Sequence, residues 1–416
     1  MTSTRHRPTV AVVDAGAIAR NTARLRTAAG DGAHVCAVVK ADGYGHGLVT
    51  AARAALAGGA TWLAVALVEE GEALRAAGVD APVLVLSEPP PAAAGALLAA
   101  RLTPTVYRPE FLTALEDAHA AADPDAAPVA VHVKLDTGMT RVGVAPADRD
   151  ALLARLATSE RLDVEGVQTH LARADELDVP TTAEQLARFR AGLDAVRDVG
   201  LTPRLVHVAN SAATLHHTPA WRAAVAAVPD AAPLVRTGIA LYGLDAGPQV
   251  TAAAHGLEPA LRLVSAVSHV RHVDAGTPVS YGHRWSAPAA GWLATVPIGY
   301  ADGVPRGLTG RLDVLHRGRR RPVVGTVTMD QVLVWCGDDE PAHGDEVVLL
   351  GTQAGPEGEG RIGLEEWAER LDTITYELAT GISARVPRVV VGADQADAAA
   401  PAAQDPEPSR ASGEGR

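Results

Sequence analysis

The sequence predicts a (β/α)8 barrel followed by a mostly β domain. Eight short apolar runs alternate with helical stretches rich in Ala, Leu, Glu and Arg. The runs are Val35–Ala41, Trp62–Leu67, Pro82–Ser87, Pro104–Tyr107, Val129–Thr137, Val164–Leu171, Arg204–Asn210 and Val235–Leu241. Eight such alternations favour a closed parallel barrel with a helix after each strand. A doubly wound open sheet is the alternative, and roughly five or six strands would have favoured it.

A change of pattern after Gly243 predicts the second domain. Strand-like segments are joined there by Gly, Pro and Asp turns, and only Leu364–Leu371 reads as a helix. The segments are Leu263–Val273, Trp292–Ile298, Leu312–Leu315, Pro322–Val327, Gln331–Cys336, Glu346–Gly351 and Val386–Val391. We expect a barrel domain over 1–250, with an extra strand at Thr9–Asp14 outside the barrel, and a mostly β domain over 251–392. The tail, 393–416, lacks hydrophobic periodicity and is predicted to be disordered.

Composition argues for a cytoplasmic globular protein. The 416 residues are 47% hydrophobic and 21% charged, and no apolar run reaches the ~18 residues that a membrane helix needs. The first residues lack the apolar core of a signal peptide, and two cysteines suit a reducing compartment. A net charge of −12 argues against nucleic-acid binding. The one basic run, 316–322, is predicted to be a solvated hairpin turn.

Lysine is almost absent from this chain. Of 37 basic residues only Lys40 and Lys134 are lysines, and each ends a strand-like run before a glycine-rich stretch. Arg keeps its proton in proteins, whereas a buried Lys can lose it and act as a nucleophile or base. The two positions therefore indicate amine chemistry that Arg cannot supply. Chance survival in a compositionally biased chain is the alternative.

Lys40 ends the first predicted barrel strand, in AVVKADGYGHG. Reactive groups of such barrels lie at the C-terminal ends of the strands. A desolvated lysine at this place can form a Schiff base with a carbonyl cofactor, and the glycines that follow let a large group approach the backbone. A dinucleotide-binding loop is the weaker alternative, because the spacing is G-x-G-x-G and a lysine precedes it.

The other strand ends also carry polar groups. They include Lys134, Asp136 and Arg141 after the fifth strand, His170 after the sixth, Asn210 and Ser211 after the seventh, and Arg236, Gly238 and Ile239 at the eighth. The loops after strands seven and eight often bind phosphate in such barrels. A phosphate there and a carbonyl at Lys40 together predict pyridoxal 5'-phosphate (PLP). For any single residue, a satisfied core polar group is the alternative.

These motifs closely resemble those of bacterial alanine racemases, over roughly residues 8 to 392. The resemblance rests on AVVKADGYGHG, HVKLDTGMTRVG, THLARADE, HVANSAAT, VRTGIALYG, PVSYGHRW, IGYADGVPR, GTVTMDQ and TYELATGISARVPR, which stand in the family's order. It implies a PLP-dependent isomerase that interconverts L- and D-alanine and supplies D-alanine for peptidoglycan.

The resemblance also implies roles for individual residues. Lys40 would hold the cofactor covalently. The other residues implied in cofactor binding are Tyr44, Arg141, His170, Asn210, Ser211, Arg236, Gly238, Ile239 and Tyr376. Arg236 would face the pyridine nitrogen and leave it unprotonated, which makes the ring a weaker electron sink and disfavours side reactions. Arg141 would meet the substrate carboxylate, and Lys134 would be the lysine that the family often carbamylates.

Racemisation needs bases on both faces of the substrate, and the resemblance supplies the second one. Lys40 would serve the face from which D-alanine loses its proton, and Tyr281 would serve the L face. The backbone of Met329 would help to bind substrate. In the family, the residues matching Tyr281 and Met329 enter the site from the partner subunit, which implies a homodimer with shared sites.

Two positions depart from the family pattern. Thr326 stands where many members have an arginine that lines the substrate corridor, beside the positions of Tyr300 and Arg306. The charge along the substrate corridor of this chain therefore does not follow from the resemblance. Thr140 replaces a common glycine and is expected to have little effect.

Three other functions are alternatives. A racemase of broader substrate range stays open, because pocket volume cannot be read from sequence. A non-catalytic PLP-homeostasis protein would lack the β domain and Tyr281, and a basic-amino-acid decarboxylase would carry a glycine-rich phosphate loop. Histidine pairs such as His216-His217 lack a third ligand at zinc-like spacing, so no metal is predicted.

Overall fold

The computed structural model describes residues 6–123 and 125–393. The predicted disordered tail lies, from residue 394 onward, outside the described residues. The described part forms a closed barrel and a separate sheet-rich domain, so the predicted fold class is confirmed. Within this part, no helix is both long and apolar enough to cross a membrane.

Eight parallel strands close the barrel. They are β2 (His34–Val38), β3 (Trp62–Val65), β4 (Val83–Val85), β5 (Thr103–Val106), β6 (Val129–Lys134), β7 (Leu162–Gln168), β8 (Leu205–His207) and β9 (Ala232–Thr237). The first strand of the described residues, β1 (Val10–Asp14), lies outside the barrel. Closure is direct, since β9 pairs with β2 through Arg236 and Cys36. The strands are short and almost continuously buried, as expected for parallel strands covered by helices. The predicted run at 235–241 extends too far, because the backbone turns at Gly238 into a 3-10 segment.

Among the described residues, ten α-helices belong to the barrel half. They are α1 (Ala15–Ala29), α2 (Lys40–Tyr44), α3 (Leu48–Ala57), α4 (Val68–Ala76), α5 (Ala94–Ala99), α6 (Pro109–Ala122), α7 (Arg149–Ala157), α8 (Thr181–Asp198), α9 (Ser211–His216) and α10 (Thr218–Val225). Asp14 caps α1 by accepting a hydrogen bond of 2.9 Å from the Ala17 amide. The apolar sides of these helices pack on the strands and form one core with them.

The second domain is built on a large mixed sheet. Its strands are β10 (Leu261–Ala266), β11 (His269–Val273), β12 (Pro278–Val279), β13 (Trp285–Ser286), β14 (Gly291–Val296), β15 (Asp313–His316), β16 (Arg319–Val324), β17 (Val332–Gly337), β18 (Glu346–Gly355), β19 (Gly358–Ile362) and β20 (Arg388–Val391). The order is β11-β14-β17-β16-β15-β18-β10-β1-β20, with β19 on β18, while β12 and β13 pair separately. The run predicted as one strand at 263–273 is in fact two strands. The hairpin expected at 316–322 turns at Arg317 and Gly318, both in the left-handed region.

The described part of this half contains one α-helix more than expected. The predicted helix is present as α11 (Leu364–Leu371), and a second helix, α12 (Thr375–Thr380), follows it. Helix α12 is too short to show a clear period in the sequence. It matters for the site, because it brings Tyr376 to the mouth of the barrel.

Candidate active site

The C-terminal end of the barrel opens into a cavity of about 680 Å³. Eleven residues singled out from the sequence line it: Lys40, Tyr44, Lys134, Arg141, His170, Asn210, Ser211, Arg236, Gly238, Ile239 and Tyr376. Four of the lining side chains are cationic, and among the described lining residues only Glu377 is acidic. A cavity with this charge is suited to an anionic ligand.

Lys40 is the first residue of α2, where the backbone turns tightly after β2. The next residues, Ala41 and Asp42, are left-handed with φ of 53° each, and so is Tyr44 at 52°. Non-glycine residues in this region cost roughly 1 kcal/mol or more each, so other contacts must hold the turn. The Ala41 amide donates to Glu70 at 2.6 Å, and the Leu48 amide donates to Asp42 at 2.8 Å.

Glu70 was not identified from the sequence. Its carboxylate also accepts from the amides of Ala66 and Leu67, at 2.9 and 3.2 Å, at the start of α4. The acidic pair Glu69-Glu70 ahead of a helical stretch is the signal that could have revealed it. Burial, followed by the charge of Arg141, lowers the pKa of Lys40. A lowered pKa makes the free amine more available as a nucleophile or base.

One wall of the cavity forms a small cradle. The amides of Gly238 and Ala240 donate to the hydroxyl of Ser211 at 3.0 and 3.4 Å, and Asn210 accepts from the Ala213 amide at 3.0 Å. A Cβ at Gly238 would lie 2.6 Å from the hydroxyl oxygen of Tyr44. The phenol therefore reaches this wall only because position 238 has no side chain.

Two phenols line the cavity, those of Tyr44 and Tyr376, and Tyr44 lies against the cradle. Burial raises the pKa of Tyr44 to about 12 and also raises that of Tyr376. Both hydroxyls therefore keep their protons near neutral pH and can donate hydrogen bonds to an anion. The rings lie 6.1 Å apart between centroids, and Tyr44 also packs 5.2 Å from Tyr242.

Arg236 lies near the end of β9, inside the barrel and two residues before Gly238 of the cradle. It donates to the carbonyl of Thr169 at 2.6 Å, and it contacts ring nitrogens of His207 at 2.9 Å and His170 at 3.3 Å. Burial lowers its pKa to about 10, so the guanidinium stays charged at neutral pH. Burial and the charge of Arg236 hold the pKa of His170 well below its usual range, so that imidazole is neutral.

Lys134 is the most perturbed cation of the cavity. Burial, followed by the charges of Arg236, Arg141 and Lys40, lowers its pKa to about 7. A substantial fraction of this amine is therefore uncharged near neutral pH. Its repulsion from the neighbouring cations would be relieved by any modification that made it negative.

Tyr281 and Met329 lie outside this cavity, in the second domain. Tyr281 is 75% exposed and Met329 is 50% exposed, and neither lines the barrel mouth of its own chain. The Tyr281 loop is nevertheless held firmly, because the hydroxyl of Thr326 donates to the Tyr281 carbonyl at 2.9 Å and Ser280 donates to the Thr326 carbonyl at 3.0 Å. The sequence identified Thr326 as a departure and gave no sign of this supporting contact.

The neighbouring histidines His216 and His217 do not point to one common site. His216 contacts His255 at 2.9 Å, while His217 contacts the carbonyl of Ala174 at 3.1 Å. Within residues 6–123 and 125–393, no cluster of three or more His, Cys, Asp or Glu side chains is placed to hold a metal ion.

Comparison with known proteins gives one consistent family. Residues 13–246 match the family model described as "Alanine racemase, N-terminal domain", and residues 260–390 match "Alanine racemase, C-terminal domain". The alanine racemase of Frankia casuarinae is 44% identical over 382 residues, which cover 91% of this chain and 95% of that protein. That of Thermobifida fusca is 44% identical over 92% of this chain and 97% of its own length.

Solved structures agree. The alanine racemase from D-cycloserine producing Streptomyces lavendulae superposes with a TM-score of 0.84 at 36% identity, covering 94% of this chain and 98% of that one. The enzyme from Streptomyces coelicolor gives 0.83 at 40% identity, covering 92% of this chain and 98% of that one.

Proposed function

Because the chain belongs to the alanine racemase family, we propose that it interconverts L-alanine and D-alanine. The single observation that carries the proposal is the cavity at the barrel mouth, which gathers a perturbed lysine, a cradle of hydrogen-bond donors and a buried arginine. The same D-alanine would be supplied to cell-wall peptidoglycan. Restoring growth of a D-alanine-requiring bacterium without added D-alanine would test that role.

The cofactor we propose for the cavity is PLP. The residues present fit its three functional parts: Lys40 for the carbonyl, the cradle of Ser211 and Gly238 with two protonated phenols for the phosphate, and Arg236 for the pyridine nitrogen. The space that Gly238 leaves beside the Tyr44 hydroxyl supports this assignment. When bound, PLP draws electrons from the α-carbon of an amino acid and makes its proton easier to remove.

The residues of this chain would then place and move that proton. Lys40, once free, takes or returns it on the face from which D-alanine is deprotonated. Arg141 binds the substrate carboxylate. It is one of the four cationic side chains that line the cavity. Arg236 only donates hydrogen bonds, so it gives the pyridine nitrogen no proton and limits how far negative charge is drawn into the ring.

A homodimer would complete the site. Tyr281 and Met329 are exposed and lie outside the cavity of their own chain, although the loop that carries Tyr281 is well held. We infer that Tyr281 of the partner subunit is the base for the L face and that the backbone of Met329 of the partner subunit contacts substrate. An open cavity on one domain and exposed functional side chains on the other support this pairing.

Carbamylation of Lys134 would resolve the crowding of positive charge. Its neutral amine adds to CO2 to give a carbamate and release one proton, which replaces a cation by an anion near Arg141. Arginine could not do this under mild conditions, and this accounts for a lysine at this position.

A direct assay tests the proposed activity. Purified protein with PLP should convert L-alanine to the racemic mixture, measured by chiral chromatography. Parallel assays with other L-amino acids decide between an alanine-selective enzyme and a broader racemase. Bound PLP without turnover of any amino acid would favour the non-catalytic homeostasis function and contradict the proposal.

A further inference from the structure

A chain of side chains runs from Arg236 through the interior of the barrel to its opposite end. Nη1 of Arg236 lies 2.9 Å from Nδ1 of His207, and Nε2 of His207 lies 2.9 Å from Nδ1 of His132. Nε2 of His132 lies 3.4 Å from a carboxylate oxygen of Glu165. The function proposed above uses only the first of these four residues.

The two histidines are fully enclosed, Arg236 is 4% exposed where it lines the cavity, and Glu165 reaches solvent. His132 and His207 have no exposed surface, whereas the Glu165 side chain is 19% exposed. Glu165 lines a shallow surface pocket with Trp62 and Thr103, residues at the starts of β3 and β5. This row of four side chains therefore connects the cavity at the C-terminal end of the barrel with the N-terminal end of the barrel.

The interior has been shaped around the His132 ring. A bulge in the pairing of β6 with β7 falls between Val131 and His132, and it places Gly166 beside His132. A Cβ at position 166 would lie 2.8 Å from three atoms of that ring. The ring of Trp62 packs on it at 5.3 Å between centroids.

The donor and acceptor atoms favour one direction for the hydrogen bonds along this row of side chains. Arg236 can only donate, so while the guanidinium keeps this position Nδ1 of His207 accepts and the His207 proton lies on Nε2. That proton is donated to Nδ1 of His132, which places the His132 proton on Nε2, facing Glu165. The 3.4 Å contact is long and not well aligned, but the described residues offer this buried nitrogen no better acceptor.

The charge states agree with this direction. Burial lowers the pKa of His132 and holds that of His207 well below its usual range, so both rings are neutral. The contact with His132 lowers the pKa of Glu165, so it is a carboxylate at neutral pH. Arg236 makes no carboxylate contact among the described residues, and its nearest neighbours along this path are the two neutral rings.

We propose that Glu165, His132 and His207 form a positioning relay that fixes the proton positions of both histidines and thereby orients the Arg236 guanidinium. A carboxylate at the far end makes one of the two possible proton arrangements preferred. In the reverse arrangement, an N–H of His207 would face an N–H of Arg236, and the guanidinium would have to move. The relay matters for catalysis only if Arg236 meets the cofactor as proposed above.

Nitrogen NMR of the intact protein, with and without PLP, tests the relay directly. Histidine ring nitrogens labelled with ¹⁵N report which nitrogen carries the proton, and His132→Gln and His207→Gln identify the two rings. Both should carry the proton on Nε2. A proton on Nδ1 of either ring would overturn the proposal, and this result needs neither activity nor a variant of Glu165.

The matched variants are Glu165→Gln and Asp163→Asn. Both acids lie on β7 and contact Arg204, at 3.4 and 2.9 Å, but only Glu165 reaches His132. Glu165→Gln should give a mixture of proton positions on His207, shift the absorbance of bound PLP and lower kcat about tenfold, with KM changed less than about twofold. Asp163→Asn should match the wild type in all four measurements.

Two outcomes of the variant experiment count against the relay. One is a His207 spectrum that is the same in Glu165→Gln and Asp163→Asn. The other is a mixed His207 spectrum with unchanged absorbance and kcat, because the ring would then not control Arg236. A failure of the proposed racemisation would appear separately, as absent turnover in a wild type whose histidine protons lie as expected.

Discussion

Lys40 and Lys134 share one cavity with Arg141 and Arg236, and each cation disfavours protonation of the amines beside it. The scarcity of lysine in the chain indicated from sequence alone that both amines take part in the chemistry of the site. The size of the effect could not be read in that way. It depends on burial and on nearby cations, such as Arg236 beside Lys134, which are far apart in the sequence and which the barrel brings to the same cavity.

Replacing Lys40 by Arg should abolish racemisation, because a guanidinium cannot bind the cofactor carbonyl or exchange a proton near neutral pH. The wild type should show the visible absorbance of lysine-bound PLP. Borohydride reduction should fix PLP on Lys40 as a stable covalent label. Lys134→Arg is the control, since it keeps a cation and should still bind PLP. A label on any other residue of the wild type would contradict the assignment.

The carbamate on Lys134 should depend on pH in a defined direction. Its pKa in the fold, about 7, lies below the usual 10.5, and only the neutral amine reacts with CO2. With ¹³C-labelled bicarbonate, the carbamate signal should therefore rise as pH increases from about 6 to 8. The signal should be missing in Lys134→Arg, and a signal that persists in this variant would assign the carbamate elsewhere.

Tyr281→Phe should separate the two faces of the substrate. The change keeps the ring and removes the ionisable oxygen, so exchange of the α-proton of L-alanine with solvent should fall by ~10²–10⁴. Exchange from D-alanine, which depends on Lys40, should persist in part while net racemisation collapses. Mass spectrometry in deuterated water measures both. Equal losses for the two enantiomers would indicate a single base or a role for Tyr281 in binding alone.

At the scale of elements, periodicity predicted the barrel strands well and the short connections poorly. Alternating apolar runs and helices are local signals, so β2 to β9 could be placed in order. The helix α12 and the turn after Lys40 are too short for a period. The left-handed Ala41 and Asp42 are held by contacts such as that with Glu70, and such contacts cannot be seen in the sequence.

Gly238→Ala should weaken cofactor binding. The new Cβ would meet the Tyr44 hydroxyl at 2.6 Å and displace it from the cradle. Overpacking of about 1–3 kcal/mol corresponds to a PLP affinity roughly 5 to 150 times weaker. Titration of the protein with PLP, followed by absorbance, measures it.

Gly95→Ala is the matched control, because a Cβ at this position in α5 meets nothing within 4 Å. Its PLP affinity should equal that of the wild type, and its thermal stability should rise slightly, as for glycine replaced by alanine inside a helix. An unchanged affinity in Gly238→Ala would mean that Tyr44 and the cradle do not bind the phosphate.

At the scale of the whole molecule, the barrel provides an open cavity and the second domain exposes Tyr281 and Met329. Neither part has a complete proposed site within one chain. The family motifs indicated from sequence that the two would meet across subunits, but no signal within one chain could show that its own Tyr281 lies outside its own cavity. The geometry of the folded chain was needed for that.

Mixing inactive Lys40→Ala and Tyr281→Ala proteins should restore activity if sites are shared. In a hybrid dimer one site carries both changes and the other carries neither, so complete exchange should give about a quarter of wild-type activity. Subunit exchange must be shown independently, for example by mass spectrometry of differently labelled chains. No recovery despite exchange would mean that each site is built within one chain.

The strand β1 also constrains how the protein is made. It pairs with β10 and with β20 in the second domain, and α1 then leads directly into the barrel. On a ribosome, Val10–Asp14 emerges first, yet about 250 more residues must follow before Leu261 appears, which takes roughly 12–50 s at typical rates of synthesis. During that time the barrel can close while its leading strand has no partner. Until the last strands of the second domain are complete, the nascent chain therefore carries a strand with unpaired edges.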